Sequence, residues 1–406
     1  MTSSPRALAL VILFLAALCG CQSLPYADDD AIPTTVRVAD GSAERAALNA
    51  EVYDAAIGLV TRRFYRRDFG GLDWTARAAA LRDEAIAQPD ERGFYRALNT
   101  TLALLNDRHT TAVAPSINLR RQQVRLTDSP QFGLTLTRSG ERFIVTRLRP
   151  DGPAAEAGVQ LGWRVETVDG QPLETDRTYV DAPGVWRFTD AVDAVHEITL
   201  AARPMPRAPP LVHRRPDGVL VIQFDEFDQA TREAVLDRLK AELADAPAAV
   251  VIDLRYNIGG IDSEVGRLLS PFFGERLEYG VAEFGWLPDR HLSTRPGALR
   301  FDGPLAVLTS GQSASAAELF AAFVQEQRRG LVVGSKTAGA VVGSRFFALP
   351  DGGRLGVGIV AFRTGAGAVL EQIGVTPDVV VEPTEADLRA GRDPVLTRAV
   401  ETLNPS

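Results

Sequence analysis

The sequence predicts a multidomain α/β protein in three parts: a helical N-terminal domain, a β-rich middle module and an α/β C-terminal domain. Three observations carry that expectation. A chain of 406 residues exceeds one ordinary domain. Its apolar pattern then changes character twice, from helical spacing to short β-like runs broken by Gly and Pro, and then to alternating strand and helix. The composition, 45% hydrophobic and 24% charged, is that of a globular protein able to bury a core.

Taken in order, the first segment is a targeting signal. Arg6 supplies a basic start, Ala7 to Leu18 is apolar and short for a bilayer span, and small residues follow. Leu18-Cys19-Gly20-Cys21 resembles a bacterial lipobox, which implies cleavage after residue 20 and a lipid on Cys21. Cys19 would leave with the signal and Cys21 would be lipidated, so disulfides and thiolate metal sites are not expected. Gln22 resembles the residue that follows the lipidated cysteine of outer-membrane lipoproteins, which implies a periplasm-facing position in the cell envelope. Residues 21–43 read as a tether containing Asp28, Asp29 and Asp30.

Residues 44–123 read as the helical domain, with apolar spacing clearest at Phe94, Leu98, Leu102 and Leu105. Residues 124–205 read as the β-rich module, with runs at Phe132 to Leu136, Phe143 to Val145, Arg164 to Val168 and Glu197 to Leu200. Residues 206–406 alternate: a strand at Val219 to Phe224, a helix through Val235 and Leu239, and strands at Ala249 to Leu254 and Leu305 to Leu308. A helix at Ser313 to Gln327 and a strand at Leu331 to Val333 follow. The net charge is −8 with no basic run, so nucleic acid is not an expected partner. Only Lys240 and Lys336 are lysines.

Three segments, with a fourth downstream of the last, carry chemistry. Leu105-Asn-Asp-Arg-His-Thr110 closes the helical domain. Val251-Ile-Asp-Leu-Arg-Tyr-Asn-Ile-Gly-Gly260 is a strand running into a Gly-Gly turn. Ser313-Ala-Ser-Ala-Ala-Glu318 opens a helix directly after a strand, and Glu371-Gln-Ile-Gly-Val-Thr-Pro-Asp378 follows downstream. A serine at a strand-to-helix turn is exposed beside the unsatisfied N–H groups and positive dipole end of the helix, which favour a developing oxyanion. On its own, Ser315 followed by Glu318 reads better as a capping box, and Gly259-Gly260 reads equally as a tight turn.

Together and in this order, the segments resemble the S41 family of serine peptidases, the tail-specific or C-terminal-processing proteases and their tricorn-like relatives. The resemblance implies a ClpP/crotonase-like α/β catalytic domain, Ser315 as nucleophile, and an oxyanion hole from the N–H groups of Ala316 with Gly259 or Gly260. In the best-known branch a lysine serves as base, but Ala340 stands at that position here, with Lys336 four residues earlier as a reserve. The tricorn-like branch uses a histidine assisted by a glutamate, and matching residues are present as His109 and Glu371. An imidazole titrates near neutrality, and a carboxylate on its other nitrogen fixes the tautomer and stabilises the imidazolium. Arg108 departs from the small or hydroxyl residue usual before that histidine. His196, His213 and His291 lie outside the motifs and read as structural or surface residues.

The middle module resembles a PDZ domain through Gln131 to Leu136, Gly152 to Gly158 and Gly162 to Gly170. That resemblance implies that the loop at Phe132, Gly133 and Leu134 captures a substrate's C-terminal carboxylate while the peptide adds to the sheet edge. No metal or organic cofactor is implied. The expected function is a serine endopeptidase acting on exported or envelope polypeptides. The rival readings are a catalytically silent peptide- or lipid-binding relative and a latent enzyme.

Overall fold

The computed structural model describes residues 36–117, 130–173, 183–206 and 208–403. The targeting segment, Cys21, most of the tether and the boundary expected at 123/124 lie outside the described residues. No helix among the described residues is long and apolar enough to cross a membrane.

Three helices come first among the described residues: Ala43–Arg63, Trp74–Ile86 and Glu91–Ala103. Each starts at a side-chain cap, in which Ser42, Asp73 and Asp90 accept the N–H three residues on. Their apolar stripes, Val52, Ala56 and Val60 on one helix and Phe94, Leu98 and Leu102 on another, form a core at the expected spacing. That core is not closed by helices alone. Leu349, Leu355 and Val357, from a hairpin more than 240 residues downstream, complete it.

The middle module is a five-stranded antiparallel meander: Leu134–Ser139, Arg142–Leu148, Arg164–Val168, Gly184–Thr189 and Val195–Leu200, paired in chain order. Phe132, Phe143, Trp163, Trp186 and Phe188 fill its core. The Gly184–Thr189 strand is an addition to the runs expected from sequence. The module docks on the C-terminal domain near the Gly-Gly turn. There Arg147 pairs with Asp225 at 2.6 Å and Tyr256 bonds the Thr146 hydroxyl at 3.1 Å. It also touches the short helix Glu385–Arg389, where Arg164 faces Glu385 and Arg389 meets Asp193.

The C-terminal domain is built on a six-stranded sheet. Its order is Val379–Val380, Leu331–Gly334, Leu305–Thr309, Ala249–Asp253, Val219–Gln223 and Leu211–Arg214, parallel except for the last pair. Its strands are continuous apolar runs because both faces are covered. Leu220, Ile222, Val250, Ile252, Leu305 and Val307 meet helices Asp262–Leu269 and Ala316–Glu326 on one side. Val219, Val221, Ala249, Val251, Ala306 and Leu308 meet helix Pro394–Leu403 on the other. A second, antiparallel sheet was not anticipated. Its strands Glu278–Phe284, Arg290–Ser293, Gly343–Ala348 and Arg354–Thr364 gather around the long last strand, with Thr111–Val113 on its other side. Thr111 pairs with Gly356, and this pairing brings the end of the helical domain to the second sheet.

Candidate active site

The Leu305–Thr309 strand leads into a tightly held turn. Ser313 is buried, with its hydroxyl donating to the Leu254 carbonyl at 2.8 Å and accepting the Ser310 N–H at 2.9 Å. The Ala314 N–H reaches the Asn257 carbonyl at 3.0 Å. Ser315 then takes φ 55° and ψ −117°, a conformation costly for a residue with a Cβ, and the helix begins at Ala316. Helical structure therefore starts three residues later than expected at Ser313, because that segment is held to the neighbouring strand end.

The Gly-Gly turn runs against this serine. A Cβ built on Gly259 would lie 2.5 Å from Ser315 Cβ and 3.0 Å from its Oγ, and Gly259 has φ 104°. Only glycine fits that approach. The Gly259 N–H is already bonded to Asn257 Oδ1 at 2.9 Å, whereas those of Gly260 and Ala316 have no partner among the described residues.

Glu318 organises the surroundings to a degree that motif reading missed. Its fully buried carboxylate accepts four bonds: from the N–H of Ser315 (3.0 Å), Gly339 (2.8 Å) and Ala340 (2.8 Å), and from the Thr337 hydroxyl (2.6 Å). The next two N–H groups, Val341 and Val342, donate to Glu371 Oε2 at 2.8 and 3.1 Å. Residues 339–342 thus hold both carboxylates, which fixes Glu371 relative to the serine turn. The capping interaction is real, since Glu318 accepts the N–H of its own N-cap, and it coexists with the half-buried serine.

His109 arrives from the other sheet edge. In its loop Asp107 accepts the His109 N–H at 3.3 Å and the Thr110 hydroxyl, while Thr110 Oγ1 accepts the Gly358 N–H at 3.0 Å. His109 Nε2 faces Glu371 Oε1 at 3.4 Å. At that separation the contact is an ion-pair approach rather than an aligned hydrogen bond, and the buried Nε2 has no hydrogen-bond partner. Burial alone would raise the Glu371 carboxyl. The facing imidazole and the Val341 and Val342 N–H groups outweigh that, so it is held below the usual glutamate range and is the anion at neutral pH. Burial, with the Asp107 and Glu371 charges, pushes the neighbouring Tyr65 phenol up. Arg108 donates to the Gly339 carbonyl at 2.9 Å and lies 3.9 Å from Glu371 Oε1.

His109, Ser315, Glu371 and the Gly-Gly turn, distant in sequence, therefore converge on one locality. Lys336 is exposed and Lys240 sits on an exposed position of helix Gln229–Leu243. His196 stacks on Trp163 at 4.2 Å and pairs with Asp190, His291 pairs with Glu278, and His213 lies in an edge strand opposite Val221. In the middle module Phe132 is buried in the core, Gly133 has φ 73°, and Leu134 begins the edge strand. Among the described residues no group of His, Cys, Asp and Glu is arranged to hold a metal ion. Asn257 and Thr337 were also missed. An Asn two residues before a Gly-Gly turn was the only local signal for the first.

The family model for peptidase family S41 matches residues 218–381. Carboxyl-terminal-processing peptidase 2 of Arabidopsis thaliana, a chloroplast protein, is 24% identical over 354 residues, covering 79% of this chain and 66% of its own length. The carboxyl-terminal-processing protease of Synechocystis is 25% identical over 345 residues, covering 80% of this chain and 79% of its own. The solved photosystem II D1 C-terminal processing protease superposes with TM-score 0.62 at 22% identity, covering 82% of this chain and 93% of that one. Fold and relatives define the chain as a serine-type peptidase, a hydrolase. Its similarity is to peptidase family S41.

Proposed function

We propose that this peptidase cleaves exported or envelope polypeptides through an acyl-enzyme on Ser315, with His109 as general base and Glu371 orienting it. The single observation that carries the reading is the joint anchoring of the serine turn and Glu371 by residues 339–342, with His109 facing that same carboxylate. Imidazole takes the Ser315 proton as Oγ attacks the scissile carbonyl carbon. The N–H groups of Ala316 and Gly260 receive the oxyanion, and the C–N bond breaks as the imidazolium protonates the leaving amine. Water, deprotonated by the same imidazole, then hydrolyses the ester.

The middle module is read as PDZ-like. Leu134–Ser139 pairs on one side only, and the N–H groups of Phe132 and Gly133 have no backbone partner among the described residues, so a peptide tail could add there. The lipid anchor on Cys21 and a periplasm-facing position, at the outer membrane, complete the proposal.

Intact-mass analysis after exposure to a fluorophosphonate tests the catalytic part. Wild type should gain one probe mass, Ser315→Ala none, and His109→Ala should label orders of magnitude more slowly. Unpartnered His109 Nε2 favours a second reading, a resting enzyme that aligns when substrate binds. In that case labelling is weak until a C-terminal peptide is added. No labelling with or without peptide would indicate a silent binding protein.

A further inference from the structure

Arg108 stands where the family pattern would offer a small or hydroxyl side chain, and it is not idle. Its guanidinium bonds the carbonyl of Gly339 at 2.9 Å, and that carbonyl also accepts the Gln372 N–H at 2.8 Å. Arg108 therefore latches the histidine loop to the two segments that carry Glu371 and its N–H donors. The same guanidinium lies 3.9 Å from Glu371 Oε1, the oxygen that faces His109 Nε2 at 3.4 Å. A permanent cation and an imidazole thus compete for one carboxylate oxygen.

We propose that Arg108 is a positioning residue that ties the His109 loop to Gly339 and, through its charge beside Glu371, sets how the activity of the His109–Glu371 pair depends on pH. The inference rests on the assignment of His109 as base. A cation beside the carboxylate weakens its attraction for a second positive charge, so the imidazolium is less favoured with Arg108 present than without it. The other ionisable groups around the pair are Asp107 on the histidine loop, Tyr65 and Arg66 from the segment after the first helix, and Glu318 across residues 339–342. Arg66 is turned to the Leu105 carbonyl and the Phe64 and Tyr65 rings, which leaves Arg108 as the guanidinium in ion-pair range of Glu371 among the described residues.

The test is the fluorophosphonate labelling rate of the full chain from about pH 5 to 9, for wild type, Arg108→Ala, Arg108→Lys, His109→Ala and Ser315→Ala. The Arg108 side chain is 60% exposed, so both of its variants should fold, which a melting curve checks. General-base catalysis is lost as pH falls through the titration of the base. Removing the cation should move that acidic limb upward by about half a pH unit or more, while Arg108→Lys, which retains charge, stays near wild type. Superimposable acidic limbs for wild type and Arg108→Ala would overturn the proposal. So would an equal upward shift in Arg108→Lys, because charge would then not be the cause. If Ser315→Ala labels like wild type, or His109→Ala retains the limb, the assignment of the site itself fails, whatever Arg108 does.

Discussion

Replacing Glu318 with glutamine keeps size and shape but halves the accepting capacity of a group that accepts four bonds. Oε1 takes the Thr337 hydroxyl and the Gly339 N–H, and Oε2 takes the Ser315 and Ala340 N–H groups. The amide retains one oxygen and turns an NH2 toward the other pair, so two buried donors lose their acceptor. At about 1–3 kcal/mol for each unsatisfied buried donor, the loss is about 2–6 kcal/mol. For a chain of this size the melting temperature should fall by roughly 2 °C per kcal/mol, about 4–12 °C in all. If the amide NH2 takes the Oε2 side, the Ser315 turn and Ala340 lose their common anchor. Fluorophosphonate labelling should then slow by at least about tenfold, since a small misplacement of a reacting group costs orders of magnitude. Calorimetry and labelling kinetics on one preparation check both. A variant that melts within about 1 °C of wild type and labels at the same rate would refute the view that Glu318 holds the nucleophile turn.

Gly259→Ala should abolish labelling, because the added methyl would sit 2.5 Å from Ser315 Cβ; unchanged labelling would contradict the close approach. Lys336→Ala should leave labelling and its pH profile unaltered, since that side chain is exposed, and loss of activity would reinstate a lysine base. Asp351 is buried beneath the helical domain, where the Tyr95 hydroxyl donates to it at 2.9 Å, and burial raises its carboxyl above the ordinary value. A carboxyl raised on folding costs stability above its folded pKa, and that cost disappears as pH falls through it toward the unfolded value. Wild type should therefore gain stability relative to Asp351→Asn as pH is lowered from 7 toward 4. Denaturant unfolding at several pH values should show the difference narrowing or reversing in that direction, and a pH-independent difference would refute it.

Much of the catalytic core was legible before folding was considered. The strands at Val219, Ala249, Leu305 and Leu331 are apolar runs covered on both faces, and such runs announce themselves without partners. The second sheet was not legible. Gly343–Ala348 alternates between half-buried and exposed positions, and none of its residues is buried. Its neighbour Arg354–Thr364 is recognisable only once helices from the start of the chain pack on Leu355 and Val357. Arg108 read as a departure from a pattern, and its reach to Gly339 crosses 231 residues.

By itself the sequence determined the chemical groups available: a serine at a strand-to-helix turn, a Gly-Gly turn, a histidine after the first helices, a glutamate near the end, and no lysine at the usual place. These are local facts, carried by residue type and spacing. Only the tertiary structure decided how they meet. The antiparallel pairing of Thr111–Val113 with Arg354–Gly356 delivers His109, and the N–H groups of residues 339–342 divide between Glu318 and Glu371. The reason is physical: a hydrogen bond between residues far apart in the chain depends on the packing of everything between them, and no local pattern encodes it.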